Sequence, residues 1–313
     1  MNAALILNPA SGRACLGKHL PEAIELLQDA GWSIQTYTSR TPDMARRLAC
    51  HAASEGRDVV LVGGGDGTVS EVINGLVGTE TALGVLPMGT GNVWATESGI
   101  ARKPRPFSAP NLTSAARTLA AAEIRRVDVG LARSTAGASR YFLLWAGVGV
   151  DAWLADYMER GHGVSSKRRF GNIAYLFVGL RRARQFHGER ITVGLDGTPR
   201  RCSVLMVHIA NVALYGGGML RLAPAARMDD GRLDVCIFKG EGVRQCLSHL
   251  TRVWLGRHLE HPEVEYHRIS RIDLDGASLP VQTDGNPAGR IPAAFEIVPG
   301  ALHVLVPRTL AQT

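Results

Sequence analysis

Two hydrophobic periods alternate through the first third of the chain. Ala3–Leu7 is a short apolar run, and Leu16–Asp29 follows with apolar positions at helical spacing. Trp32–Tyr37 alternates like a half-buried strand, and Met44–Ala53 returns to the helical period. Asp58–Val62 is an apolar run. Val69, Val72, Ile73, Leu76 and Val77 then form an i, i+3, i+4 stripe, and Leu83–Leu86 is a further strand ending at Pro87. This βαβα order predicts a doubly wound α/β domain, a mostly parallel sheet with helices on both faces. Ala101–Asn111, with Pro104, Pro106 and Pro110, reads as a connector. Beyond about Asp128 the strand period dominates: Tyr141–Val150, Ile191–Leu195, Val204–Asn211, Leu233–Phe238, Ile269–Leu274 and Phe295–Val298. Helical patterns are fewer, near Asp151–Arg160, Ile173–Phe186 and Gly242–Leu255. The expectation is an α/β domain over residues 1–127 and a β-rich domain over 128–301.

The 313 residues suit one large or two medium domains, and 45% hydrophobic content is ample for buried cores. A net charge of +7 suits nucleic acid, an anionic membrane or an anionic nucleotide. Aromatics at 6%, with no basic-aromatic ladder, argue against nucleic acid. The five cysteines (Cys15, Cys50, Cys202, Cys236 and Cys246) include no CxxC pair and fit free thiols in a reducing cytoplasm. No apolar run approaches the ~18 residues of a spanning helix. Asn8-Pro9 interrupts the first apolar run, and no signal peptide is read. A cytoplasmic protein is expected, soluble or peripheral to a membrane.

The chemistry concentrates in loops that follow predicted strands. Gly63-Gly64-Gly65-Asp66-Gly67-Thr68 lies between a buried strand and a helix. Glycines let the backbone approach a polyanion, and the helix N-terminus offers N–H groups and a partial positive charge. A carboxylate in such a turn repels phosphates unless it holds a cation or takes a proton, which points to phosphoryl transfer. A plain tight turn is the competing reading. The spacing lacks the Lys of a Walker A loop and is not GxGxxG. Pro87-Met88-Gly89-Thr90-Gly91-Asn92 is a second such loop, or a capped helix start. Asn8-Pro9-Ala10-Ser11-Gly12 follows the first strand, and Thr38 ends the second. In open α/β sheets ligands sit beyond the carboxyl ends of the strands, so these loops would share one crevice. Far along the chain, Thr283-Asp284-Gly285-Asn286 reads as a hairpin turn or as a second acidic group for that crevice. Arg227–Arg232 reads as a turn, or as a small cation site with Asp230 as oxygen ligand. His258, His261 and His267 lack a zinc-like spacing. Lys167–Arg169 and Arg181–Arg184 flank the apolar stretch Ile173–Val178, as a solvated amphipathic helix or one touching an anionic membrane.

Together these motifs resemble the diacylglycerol kinase catalytic-domain family of lipid kinases, which includes bacterial diacylglycerol and YegS-like lipid kinases and the sphingosine kinases. The matching residues are Asn8–Gly12, Tyr37-Thr38, Gly64–Thr68 with Glu71, Asn74 and Gly75, Leu86–Asn92, and Asp284-Gly285. The resemblance implies an N-terminal ATP-binding domain like that of NAD kinase and phosphofructokinase. It also implies a C-terminal β-sandwich that helps bind lipid, and a last strand, about 302–313, returning to the first domain. It implies ATP and Mg²⁺ held by Asn8, Pro9, Ala10, Ser11, Gly12, Thr38, Gly64, Gly65, Gly67, Thr68, Glu71, Gly89, Thr90 and Asn92. Asp66 and Asp284 would be catalytic, and Asp230 would match a structural Mg²⁺ site of bacterial members. The family's late motif usually reads Asp-Gly-Glu, and here the third position is Asn286. The second loop often continues Asn-Asp, and here Val93 follows Asn92.

The implied reaction is transfer of the ATP γ-phosphoryl group to a hydroxyl of diacylglycerol or a related lipid. Two alternatives stay open: a nucleotide- or lipid-binding protein with weak or no kinase activity, motivated by Asn286, and a soluble-substrate kinase like NAD kinase. The partners expected are ATP and a lipid at a membrane surface. A homodimer remains allowed.

Overall fold

The computed structural model describes residues 1–10, 19–101, 111–134, 139–157 and 187–308. The chain forms two compact units. One comprises Met1–Asp128, Gly217–Met219 and Gly300–Thr313, and the other Val129–Gly216 and Leu220–Pro299.

The first unit is built on parallel strands β1 (Asn2–Leu7), β2 (Ser33–Thr38), β3 (Val59–Gly64) and β4 (Ala82–Pro87), with α1 (Leu20–Asp29), α2 (Pro42–Ser54), α3 (Asp66–Leu76), α4 (Val93–Glu97) and α5 (Leu112–Ala120). The strand order is β2-β1-β3-β4, and Val304 near the end of the last strand pairs in parallel with Leu83. The chain moves from β1 outward to β2, then crosses back to β3 on the other side of β1. Right-handed crossovers in opposite directions put helices on opposite faces. Accordingly α1 packs with α5, and α2 with α3. The strands read as continuous apolar runs because both faces are covered: Val59–Gly64 and Ala82–Pro87 are buried at every position. Helix starts follow their caps. Thr41 accepts the Met44 N–H at 3.3 Å ahead of Pro42, and Asn111 accepts the Ser114 N–H at 2.9 Å.

The second unit is antiparallel. It contains β6 (Arg140–Phe142), β7 (Trp145–Gly149), α6 (Val150–Tyr157), β8 (Glu189–Leu195), β9 (Thr198–Ala210), the short pair β10 (Leu214–Tyr215) and β11 (Leu220–Arg221), β12 (Leu233–Lys239), α7 (Val243–Trp254), β13 (Val264–Ile269), β14 (Arg271–Gly276), β15 (Pro280–Thr283) and β16 (Asn286–Arg290). The long β9 is its hub. Its first half pairs with β8, and its second half lies between β7 and β12. The core gathers Phe142, Val148, Val207, Ile237, Ile272 and Phe295, all fully buried. Two long strands, β5 (Glu123–Ser134) and β17 (Ala293–Val306), have residues in both units.

Three expectations are corrected. Tyr141–Val150 is two strands, because the Leu143, Leu144 and Trp145 N–H groups turn to the Asp284 carboxylate. Ile269–Leu274 breaks at Ser270, where Asp196 Oδ1 accepts the Ser270 and Arg271 N–H groups at 3.0 and 2.9 Å. On either side the chain changes partner, β13 pairing with β12 and β14 with β8 and β17. The Phe295–Val298 strand extends through Pro299-Gly300 to Val306. The Ile173–Phe186 pattern lies outside the described residues.

Candidate active site

The strand register of the first unit brings its loops to one edge. Leu7 is opposite Thr38 and Gly63, and Gly64 is opposite Pro87. The direction of winding reverses between β1 and β3, where open α/β sheets bind ligands. Across that gap Asn8 N donates to Gly63 O at 3.1 Å, and Asn8 Nδ2 donates to Thr68 Oγ1 at 3.0 Å. Asn8 Oδ1 also accepts the Ala10 N–H at 3.0 Å, so one side chain shapes its own turn and anchors it to the next loop. Pro9 and Ala10 are exposed, while Ser11 and Gly12 lie outside the described residues. Thr38 is exposed at the end of β2, and Glu71 is half-buried on α3.

The two glycine loops pack backbone on backbone. A Cβ added at Gly89 would lie 2.5 Å from the Gly65 Cα, and one added at Gly65 would lie 3.0 Å from the Gly89 Cα. Met88 N donates to Gly64 O at 2.9 Å. Asn92 takes a left-handed conformation and exchanges two hydrogen bonds with Gly89, at 2.8 and 2.7 Å. Asp66 completes the joint. Its Oδ1 accepts the Trp94 N–H at 3.1 Å, so the first residue of α3 caps the start of α4. Burial pushes the Asp66 carboxyl above the ordinary carboxylate range, against the opposing pull of N–H groups from Val93, Trp94, Asp66 itself and Asn92. Gly65, the N-cap of α3, offers no side chain to the first-turn N–H groups, and Gly67 and Thr90 face solvent. This backbone concavity, kept free of side chains at a helix N-terminus, fits the phosphates of a nucleotide.

In the second unit Asp284 and Gly285 are the two residues of a tight hairpin between β15 and β16, with φ of 49° and 82°. Asp284 is buried. Its Oδ1 accepts from Leu144 and Trp145 at 2.8 and 3.2 Å, and its Oδ2 from Leu143 at 3.0 Å. The carboxylate expected at the chemistry is thus engaged in anchoring the turn. Asn286 Nδ2 is buried without a hydrogen-bond partner among the described residues.

Beside this turn lies a polar cluster that sequence reasoning missed. Asp151, just inside α6, accepts Tyr215 Oη at 2.5 Å and Gln282 Nε2 at 2.6 Å. Gln282 in turn accepts the Gly285 N–H at 2.7 Å. Burial raises the Asp151 pKa, against those two hydrogen bonds. His208 is fully buried with its ring centroid 5.1 Å from that of Tyr215, and burial depresses its pKa to about 3. A signal existed in Gly147: a Cβ there would lie 2.2 Å from Asp151 Oδ2, so the strand glycine makes room for the carboxylate.

Asp230 precedes β12 and is tied to its neighbours. Its Oδ1 accepts the Arg232 N–H at 3.0 Å, and its Oδ2 is held by the Arg268 guanidinium, which also lies 3.6 Å from Asp234. Among the described residues no three His, Cys, Asp or Glu side chains converge as ligands.

Family comparison covers both units. Residues 2–132 match the sequence model of the diacylglycerol kinase catalytic domain, and residues 146–306 match the YegS C-terminal NAD kinase beta sandwich-like domain. The chain is 30% identical to the diacylglycerol kinase of Mycobacterium tuberculosis strain ATCC 25618 / H37Rv, with 97% of this chain and 94% of the relative covered. The chain belongs to the diacylglycerol kinase family. It is also 27% identical to the diacylglycerol kinase of Bacillus subtilis strain 168, over 99% of this chain and 98% of the relative. A crystal structure of a diacylglycerol kinase from Bacillus anthracis str. Sterne shares the fold, with a TM-score of 0.77 at 22% identity over 99% of this chain and 98% of the other. The fold class read from the alternation of strand and helix periods agrees with that kinship: an α/β unit followed by a β-sandwich-like unit.

Proposed function

We propose that this protein transfers the γ-phosphoryl group of ATP to a hydroxyl of diacylglycerol or a related lipid. The observation that carries the reading is the backbone-on-backbone contact of Gly65 with Gly89 in a chain of this family. It supports a nucleotide whose phosphates lie against the α3 N-terminus, with Gly64, Gly65, Gly67 and Thr68 on one side and Gly89, Thr90 and Asn92 on the other. Asn8 ties the first loop to Thr68, and Pro9, Ala10, Ser11, Gly12, Thr38 and Glu71 belong to the same nucleotide site. Mg²⁺ would travel with the nucleotide and neutralise charge on its phosphates.

Phosphoryl transfer has a loose transition state, so positioning and charge stabilisation dominate. First-turn N–H groups of α3 hold the phosphates without reorganising. As the lipid oxygen bonds to phosphorus and the bond to ADP breaks, Asp66 takes the hydroxyl proton. Its raised pKa makes it a better base than an ordinary aspartate. Asp284 acts as a positioning residue through the 143–145 backbone. Asn286, where the family usually has Glu, cannot take a proton, which leaves Asp66 as the base. An acceptor that lives in a bilayer makes the protein peripheral to a membrane. The test is label transfer from γ-labelled ATP to diacylglycerol, to sphingoid bases in mixed micelles, and to NAD. Labelled lipid supports the reading, and labelled NAD with no labelled lipid overturns it.

A further inference from the structure

Helix α7 has more apolar surface than its seat in the second unit uses. Cys246, His249 and Val253, at i, i+3 and i+7, form the seated side. His249 is bonded to Lys239 O at 2.7 Å and stands edge-on to Phe238, and Val253 packs on the Phe238 and Cys236 cluster. The apolar sector then continues around the helix. Leu247, Leu250 and Trp254 repeat the i, i+3, i+7 spacing on the neighbouring side, and Leu255 and Leu259 extend it. These five are 40%, 37%, 61%, 63% and 38% exposed. Single exposed leucines are ordinary, but a contiguous stripe with a tryptophan marks a partner.

Charge identifies that partner. The helix sequence VRQCLSHLTRVW contains no acidic residue. Arg244, Arg252 and Arg257, together with Leu247, Thr251 and Leu255, border an open groove of about 510 Å³. Leucine and tryptophan on one side with arginines at the rim is the chemistry of a helix lying in the plane of an anionic bilayer surface. There apolar side chains enter the acyl boundary and guanidinium groups stay with headgroup phosphates. The chain's net charge of +7 favours the same surface.

We propose that α7 docks the protein on bilayers containing anionic lipid, with Leu247, Leu250, Trp254 and Leu255 in the acyl boundary and Arg244, Arg252 and Arg257 on the headgroups. The inference rests in part on the lipid-kinase reading, since an enzyme whose acceptor lies in a bilayer has to reach it. The residues proposed for phosphoryl transfer lie outside α7.

The test is co-sedimentation of the full chain with vesicles of phosphatidylcholine alone or with added phosphatidylglycerol, beside Trp254→Ser/Leu255→Ser and Arg244→Gln/Arg252→Gln/Arg257→Gln variants. All five positions are on or beside the exposed stripe, so folding is checked by circular dichroism and unfolding midpoint. The wild type is expected to bind the anionic vesicles more tightly, with affinity falling as salt rises. The arginine variant should lose roughly fivefold per charge removed. The apolar variant should lose about tenfold or more on both vesicle types. Label transfer to a water-soluble short-chain diacylglycerol without vesicles should be unchanged in both variants. Vesicle binding by folded variants equal to wild type overturns the proposal. So does a wild-type dimer that Trp254→Ser/Leu255→Ser converts to monomer with vesicle binding intact, which would assign the stripe to a second copy. Vesicle binding that depends on Trp254 in a protein that phosphorylates no lipid keeps the docking surface and removes the kinase reading.

Discussion

Replacing Gly89 with alanine puts a methyl carbon 2.5 Å from the Gly65 Cα, 3.1 Å from Asn92 Oδ1 and 3.3 Å from the Gly65 nitrogen. Carbon atoms rest about 3.5–4.0 Å apart, so the two loops must part by roughly 1 Å or more. The neighbours are backbone and a side chain already bonded twice to Gly89, so the contact cannot relax through a rotamer change. Overpacking of this kind costs about 1–3 kcal/mol. For a unit of this size the unfolding midpoint should fall by about 2–10 °C. The nucleotide suffers as well, because the site is the closed approach of the two loops. Each 1.4 kcal/mol is tenfold in affinity, so the Kd for ATP with magnesium should rise about tenfold or more. Equilibrium binding of ATP and thermal unfolding read the two effects. Gly194→Ala is the control: its Cβ would sit 3.6 Å from Asp273, an ordinary contact, and both quantities should stay near wild type. A Gly89→Ala protein that binds ATP and unfolds like wild type would refute the claim that the Gly65–Gly89 approach builds the site.

Asp284→Ala removes the acceptor of three buried backbone N–H groups and should destabilise the second unit by about 3 kcal/mol or more, with Asp284→Asn intermediate, measured by denaturant unfolding. His208 is held neutral by burial with a pKa of about 3, below its ordinary 6.5. The unfolded chain therefore binds a proton that the folded one refuses, and stability falls as pH drops from 6.5 towards 3, by on the order of 5 kcal/mol in full. His208→Leu should flatten that slope in unfolding experiments across the range, and an unchanged slope would remove His208 as its cause. Asn286→Glu adds a proton acceptor next to the Asp284 turn and should raise turnover on a lipid acceptor severalfold, read as initial rates of label transfer. A folded variant with an unchanged or lower rate would remove the missing carboxylate as the limit on turnover.

Local patterns exposed much of this fold. The parallel strands of the first unit are buried on both faces, so apolar runs and intervening helical stripes revealed them directly. The Asp284-Gly285 hairpin was legible because two successive residues with positive φ favour that dipeptide. The strand breaks at Leu143-Leu144 and Ser270 were not. Their causes, Asp284 and Asp196, lie far away in the chain; hydropathy is unbroken at Leu143-Leu144, and at Ser270-Arg271 only two adjacent polar residues interrupt it. β16 was hidden for a different reason, since Pro287 and Gly289 disguise an edge strand as a loop. The close pairing of the two glycine loops was not legible either, and that Asp66 caps α4 could be seen only once the loops were in contact. The engagement of Asp230 by Arg268 likewise depends on strand pairing between β12 and β13, which no motif encodes.

The central claim is that Asp66 serves phosphoryl transfer to a lipid hydroxyl. Its most direct test is the rate of label transfer from γ-labelled ATP to diacylglycerol by wild type and by Asp66→Asn, with circular dichroism and ATP binding measured on both. Asparagine keeps the shape and an oxygen for the Trp94 N–H but cannot take a proton. The account predicts a folded, ATP-binding variant whose turnover falls about 10²–10⁴-fold. A folded Asp66→Asn protein with wild-type turnover would contradict it.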